Sequence, residues 1–438
     1  MKKDIANVVL AVASGALAGT IWAGALDHAY LKGVTDRCPP YYGPGEEMTF
    51  TIRLEGAERL PGDMYYVSWK RTGDDGQEMS GKSPLCPGRP LVVRTSLDRP
   101  GFVRVAARVE DKNGNVFEKP GIVGGWEEKQ VFFDGSAGVQ PERIVTGVPE
   151  PTDFDEFWMA HRAELAKVPM QAELREVESP DGCSRRYQVS ISCAGDRPAT
   201  GYLLVPSKQG KYPACIDLCG YGDSNGGRCC IAGDPTSLVF CLNAHGYELG
   251  REAGYYQAFM KSIESNGQSY AFDPVQNASS KTCYFSGMTW RLMRALDYLK
   301  SRPEWDGKNL VARGGSQGGL QAIWAAALDS DVTSAHVGFP WCCDMSGKDV
   351  LKRNSDNWRI RWAAGLGYYD PVHLAKRIPK TCKVDIYRAG LGDYCCPPSG
   401  VAALWNALRC PKEIRWVQGS THNWEPPKTV EHTKNISM

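Results

Sequence analysis

Leu310-Val311-Ala312-Arg313-Gly314-Gly315-Ser316-Gln317-Gly318-Gly319-Leu320-Gln321-Ala322-Ile323-Trp324-Ala325-Ala326 is the stretch that decides how the second half of this chain folds. Four apolar-rich residues read as a strand, and Leu320 onward reads as a helix. The Gly-x-Ser-x-Gly pattern at 314–318 joins the two with no intervening loop. A tight strand-to-helix turn of this kind lifts a serine hydroxyl clear of the end of a sheet. The glycines at 314, 315, 318 and 319 remove the side chains that such a turn would crowd. Ser316 is therefore the candidate nucleophile.

Outward from this turn, strand-like runs at 201–205, 214–218, 310–313, 336–339 and 384–388 alternate with helix-like runs, among them 288–300 and 320–328. Strands alternating with helices predict an α/β fold with a mostly parallel sheet and helices on both faces. An amphipathic helix beginning Phe154-Asp155-Glu156-Phe157-Trp158 opens this region. Before it, Gly135, Gly138, Pro141, Pro149 and Pro151 read as a linker over 136–152. From Glu47 to Phe133 the runs 48–54, 65–69, 91–94 and 102–109 alternate or are rich in β-branched and aromatic residues. Turn signals such as Gly73-Asp74-Asp75-Gly76 and Asn113-Gly114 separate them. This predicts an immunoglobulin-like β-sandwich of about 90 residues over 40–135. The catalytic domain is expected over 153–438.

A serine hydroxyl is a weak nucleophile and needs a base held by an acid, which follow in the order Ser, Asp, His in this type of fold. Asp393 lies in a loop after the strand ending at Arg388, and His422 lies in a polar loop after another strand-like run. Asp385, inside a strand, and Asp370, before Pro371, are weaker acids; Asp370 reads as a helix cap. His432 sits in a polar tail with no strand ahead of it. The oxyanion of a tetrahedral intermediate needs two donors. The Gln317 amide is the first, and the amide of Tyr221, in Cys219-Gly220-Tyr221-Gly222 after an early strand, is the second. Trp341, in Phe339-Pro340-Trp341-Cys342-Cys343 after the next strand, is either a wall of the acyl pocket or a core residue.

Composition bounds the partners. The 438 residues carry 51 Lys and Arg against 50 Asp and Glu, a formal charge of +1, with no basic run. That balance argues against nucleic acid and against anionic membrane surfaces as partners. The 13 Trp and 19 Tyr fit either ordinary packing or stacking on sugars. Lys2 and Lys3, an apolar stretch from Ile5 to Ala18 and the small residues Ala23-Gly24-Ala25 predict a secretory leader over 1–25, hence a secreted or periplasmic protein. No later stretch reaches the ~18 apolar residues of a membrane helix.

Sixteen cysteines in an exported chain predict disulfides, with each vicinal pair (229–230, 342–343, 395–396) offering one thiol to a distant partner. No spacing matches a zinc site, so neither a metal nor another cofactor is expected.

The segments Gly-Gly-Ser-Gln-Gly-Gly at 314–319, Phe339-Pro340-Trp341-Cys342-Cys343-Asp344, and Gly390-Leu391-Gly392-Asp393 with Pro397-Pro398-Ser399 resemble the acetyl xylan esterase and cephalosporin-C deacetylase family of carbohydrate esterases. The resemblance spans roughly 154–426. It implies an α/β-hydrolase fold and a serine esterase that removes acetyl groups from xylan-derived or other acetylated sugars. It also implies the roles of Ser316, Asp393 and His422 as nucleophile, acid and base.

The chain departs from the family at Asn243-Ala244-His245-Gly246-Tyr247, Cys219-Gly220-Tyr221 and Thr421-His422-Asn423, which leaves substrate choice open, as is a homo-oligomer. Two alternatives remain. A serine peptidase of the prolyl-oligopeptidase type would also carry a β-domain ahead of a hydrolase domain, though usually a propeller. The other is a non-catalytic binding protein on a hydrolase fold.

Overall fold

A computed structural model describes residues 24–57, 60, 64–179, 182–222, 234–427 and 429–436. The expected leader and the pair Cys229-Cys230 lie essentially outside them. The chain divides into two compact units. One comprises the chain up to Pro141 together with Gly390–Asp393 and Val417–His432; the other comprises the rest. No described helix is long and apolar enough to cross a membrane.

The first unit has two sheets. Strands β1 (Tyr30–Thr35), β3 (Met48–Glu55) and β6 (Leu91–Thr95) form one, in the order β1-β3-β6. The other has β2 (Tyr41–Tyr42), β4 (Tyr65–Gly73), β5 (Met79–Pro84), β7 (Gly101–Asp111) and β8 (Phe132–Val139), in the order β2-β8-β7-β4-β5. Period-2 patterning drives this. In β7 the side chains of Val103, Val105, Ala107 and Val109 are buried, while Arg104 and Arg108 alternate with them. They pack with Phe50, Ile52, Val67, Val93 and Phe133 into one core. The strands start at Tyr30, ahead of the expected boundary at 40. Residues 136–139, expected as linker, are the end of β8, which is buried along its whole length.

The second unit is built on a ten-stranded sheet of β9 (Ala172–Val177), β10 (Ser184–Ile191), β11 (Ala199–Pro206), β12 (Tyr212–Leu218), β13 (Leu238–Asn243), β14 (Trp305–Gly315), β15 (Ser334–Gly338), β16 (Lys383–Gly390), β17 (Lys412–Gln418) and β18 (Val430–Ile436). Their order is β18-β17-β16-β15-β14-β12-β13-β11-β10-β9. Neighbours from β13 to β16 pair in parallel, while β9, β10 and β11 are antiparallel additions. Strands β11 and β13 are buried throughout, as strands covered on both faces must be. The helices include Phe154–Ala166, Tyr284–Ser301, Gln317–Leu328 and Pro398–Ala407. Gln317–Leu328 is buried from Gln317 to Ala326, in keeping with its apolar character on every face.

Candidate active site

Strand β14 is central in the parallel part of the sheet, and Ser316 follows it directly as the cap of helix Gln317–Leu328. Its backbone sits at φ 55°, ψ −120°, a conformation that side-chain-bearing residues rarely adopt. Such strain persists only where the surroundings over-determine it. Here the Ser316 amide donates to the Gly338 carbonyl at 3.0 Å, and its carbonyl accepts from Leu320 N at 3.0 Å and Trp341 N at 3.1 Å. Gly318 is dictated by close approach, because a Cβ there would stand 2.0 Å from the Leu218 carbonyl oxygen. The start of the helix thus lies hard against the end of β12, whose next residues are Cys219, Gly220 and Tyr221.

That loop is tied to the turn by Gln317. Its Nε2 donates to the Gly220 carbonyl at 3.4 Å, and its Oε1 accepts from Tyr270 Oη at 2.7 Å. Tyr270 Oη in turn accepts from the Gly222 amide at 2.9 Å, and the Tyr221 and Tyr270 rings stack with centroids 4.2 Å apart. Tyr270 escaped the sequence reading, since an aromatic in a polar loop carries no periodic signal. The Gln317 amide is the first N–H of its helix, a group with no intrahelical acceptor and free by geometry to serve an anion. Burial pushes the Tyr221 phenol well above its usual range, so it stays protonated.

Trp341 is 2% exposed and belongs to an aromatic cluster. Its ring centroid lies 5.3 Å from those of Tyr221 and Trp358, and the Trp358 ring stacks on it. It also lines a small cavity of about 60 Å³ with Asp344, Arg353 and Cys395. The side chain is thus packed in an aromatic core and also borders that cavity.

Phe339, Cys342 and Asp344 also have positive φ, so the segment after β15 is held in an unusual path. Cys342 and Cys343 are both free thiols, contrary to the expectation that each vicinal pair would offer one sulfur to a partner. Burial raises both well above the ordinary thiol range, and Cys343 Sγ is spent on the Pro340 carbonyl at 3.4 Å. Cys219 and Cys241 are the described cysteines in disulfides.

In the first unit, Asp393 Oδ2 lies 2.9 Å from His422 Nδ1. Asp393 is 1% exposed, whereas the His422 side chain keeps about a fifth of its surface. The rival acids are engaged elsewhere. Asp385 on β16 faces His336 Nδ1 at 3.4 Å. Asp370 caps helix Pro371–Ala375 by accepting from Val372 N at 3.0 Å, as its position before proline predicts, and also accepts from the Met345 amide at 2.8 Å. Burial pushes its carboxyl up to about 6. His432 is not in a structureless tail: it sits buried on β18, with Nδ1 3.3 Å from Cys38 Sγ. The alternation Val430, His432 is too short and polar to read as a strand by pattern alone.

Residues 145–359 and 349–435 match the family model described as acetyl xylan esterase (AXE1). Acetyl esterase Axe7A of Xylanibacter ruminicola is 28% identical over 353 residues, covering 76% of this chain and 73% of that protein. Among solved structures, the acetyl xylan esterase from Paenibacillus sp. R4 is 24% identical with a TM-score of 0.54, covering 66% of this chain and 94% of that one. Acetyl xylan esterase 1 from Thermoanaerobacterium sp. JW/SL YS485 is 23% identical with a TM-score of 0.54, covering 66% and 93%. At those identities the two structures speak for the α/β-hydrolase-like fold alone. The family model spans well over half of the sequence, and on that ground the chain belongs to the acetyl xylan esterase family of carboxylic ester hydrolases.

Proposed function

We propose that this protein removes acetyl groups from acetylated carbohydrates, with xylan-derived oligosaccharides as the leading substrates, through an acetyl-enzyme formed on Ser316. The observation that carries the reading is the strained Ser316 turn between β14 and a buried helix. The 2.9 Å contact of Asp393 with His422 supports it.

In the proposed reaction His422 Nε2 takes the proton of the Ser316 hydroxyl as its oxygen bonds to the acetyl carbonyl carbon. Asp393 fixes the imidazole with Nδ1 protonated and stabilises the cation. The amides of Gln317 and Tyr221 receive the oxyanion. The sugar C–O–acetyl link then breaks at the acyl carbon, and the imidazolium returns its proton to the leaving sugar hydroxyl. Water, activated by the same base, releases acetate and regenerates Ser316. Trp341 walls the acyl side, leaving room for a methyl group. No metal or cofactor enters this scheme.

The leader-like residues 1–25 support export to the periplasm or the exterior, where such polymers are met. The N-terminal strands, from Tyr30 to Val139, are read as an immunoglobulin-like domain. Acetate release from acetylated xylo-oligosaccharides, run beside proline-containing peptides, tests the assignment. Acetate release with intact peptides supports it, and peptide cleavage without acetate release replaces it with the peptidase reading.

A further inference from the structure

Strand β8 carries a feature that the nucleophile motif does not account for. Its outer edge is covered by β2 only at Gly138 and Val139. At Ser136 a side chain completes the edge: Gln418 Oε1 accepts from Ser136 N at 3.0 Å and Gln418 Nε2 donates to Ser136 O at 2.9 Å. An amide side chain holds a donor and an acceptor side by side, so Gln418 satisfies both backbone groups as a neighbouring strand would. His422 lies four residues further along the same segment.

The acid loop is gripped from the same strand. Ser136 Oγ donates to the Leu391 carbonyl at 2.5 Å. Leu391 N and Gly392 N donate to Val417 O and Ser420 O, each at 2.9 Å, which laces the acid loop to the base loop. Gly392 backs directly onto Asp134, whose carbonyl oxygen would stand 2.1 Å from any Cβ at that position. Behind it the buried Asp134 carboxylate is held by two hydrogen bonds from Arg104, one of them from Nε at 2.8 Å. Burial pushes the Asp134 carboxyl up, Arg104 and Arg108 pull it down, and the nearby Asp393 charge pushes it up again. Arg104 thus supplies the positive charge and the hydrogen bonds that a buried carboxylate at 134 needs.

We infer that β8 is a positioning element for catalysis: Ser136, Asp134 and Arg104, with Gln418, hold the loops that carry Asp393 and His422, so the N-terminal β-unit sets turnover. The inference rests on reading Asp393 and His422 as acid and base. An orienting pair must be held tightly, since a misplacement of about 1 Å costs on the order of 10²-fold in rate.

The test uses the full chain carrying Ser136→Ala, Gln418→Met, Arg104→Met or Arg104→Lys, assayed on p-nitrophenyl acetate. Each kcat is divided by active sites counted with a fluorophosphonate, and thermal unfolding is followed in parallel. Ser136→Ala, Gln418→Met and Arg104→Met are expected to lose about 10–100-fold in kcat per titrated site with KM changed less than about twofold. Arg104→Lys, which keeps the charge, should recover a large part of the loss. Arg104 is partly exposed, so its variants report even if the buried ones fail to fold. A kcat per site within twofold of wild type in the folded variants, whatever their melting temperature, overturns the inference. Asp393→Asn, run alongside, separates the two failures. If it is slow while these variants are fast, only the positioning role falls; if it is as fast as wild type, the acid–base reading falls and takes the inference with it.

Discussion

Tyr270 Oη stands 2.7 Å from Oε1 of Gln317, the residue after the candidate nucleophile, and the same oxygen receives the Gly222 amide at 2.9 Å. One phenol thereby fixes both sides of the expected oxyanion site: the start of the helix and the loop after β12. Tyr270→Phe keeps the ring stack on Tyr221 and removes only the bridge. Losing one such buried hydrogen bond costs about 1–3 kcal/mol, so kcat for p-nitrophenyl acetate should fall roughly 5- to 150-fold with KM little changed. Steady-state kinetics on the folded variant check this; an unchanged kcat removes Tyr270 from the account.

Asp393→Asn should be far more damaging than Asp370→Asn. An asparagine amide at 393 would leave His422 in the wrong tautomer, a change that costs roughly 10⁴-fold in a serine protease. Asp370 caps a helix and braces the 344–345 backbone, so its loss is expected to lower the melting temperature and spare kcat. The reverse pattern in kcat and thermal unfolding would exchange the two roles.

Trp341 should make the enzyme selective for small acyl groups. A chain-length series of p-nitrophenyl esters on wild type is expected to decline from acetate to octanoate, with each added methylene worth about 1–3 kcal/mol in a closed pocket. Trp341→Ala should flatten that decline while costing about 3–5 kcal/mol of stability, because the ring is buried among Tyr221, Phe272 and Trp358. Equal turnover of octanoate and acetate by wild type would refute the small pocket.

Acid should destabilise the fold through two buried histidines. Burial lowers the His161 imidazole to about 4, and burial with Arg291 and Arg197 nearby lowers His245 to about 3. Their unfolded value is about 6.5. Between about 6.5 and 4 the unfolded chain therefore binds protons that the native state does not, and stability falls as pH falls. Each neutral histidine contributes up to about 1.4 kcal/mol per pH unit in that window. Urea unfolding of His161→Gln from pH 7.5 to 4.5 should show a shallower loss than wild type; an identical slope would show that His161 is not held neutral.

Much of this was legible in the sequence, for physical reasons that can be named. The apolar run before Gly314 and the apolar helix after Gly319 locate the turn by local pattern, and Asp370 before Pro371 reads correctly as a cap. Strand β8 was hidden because its glycines read as linker. In the fold they are required by packing, since a Cβ on Gly135 would meet Gln418 Oε1 at 2.3 Å. The membership of Gly390–Asp393 and Val417–His432 in the same unit as the N-terminal strands arises from contacts between residues nearly 300 positions apart, such as Ser136 with Gln418, which no local periodicity encodes. Tyr270 was missed for the same reason.

The central claim is that Ser316 is the nucleophile. The most direct measurement is acetate release from acetylated xylo-oligosaccharides by wild type and Ser316→Ala, with circular dichroism to establish that the variant is folded and fluorophosphonate labelling mapped by peptide. The account predicts a loss of roughly 10⁴- to 10⁶-fold in the folded variant, and labelling of wild type on the peptide containing Ser316. Near-wild-type acetate release by folded Ser316→Ala, or labelling at another serine, would contradict it.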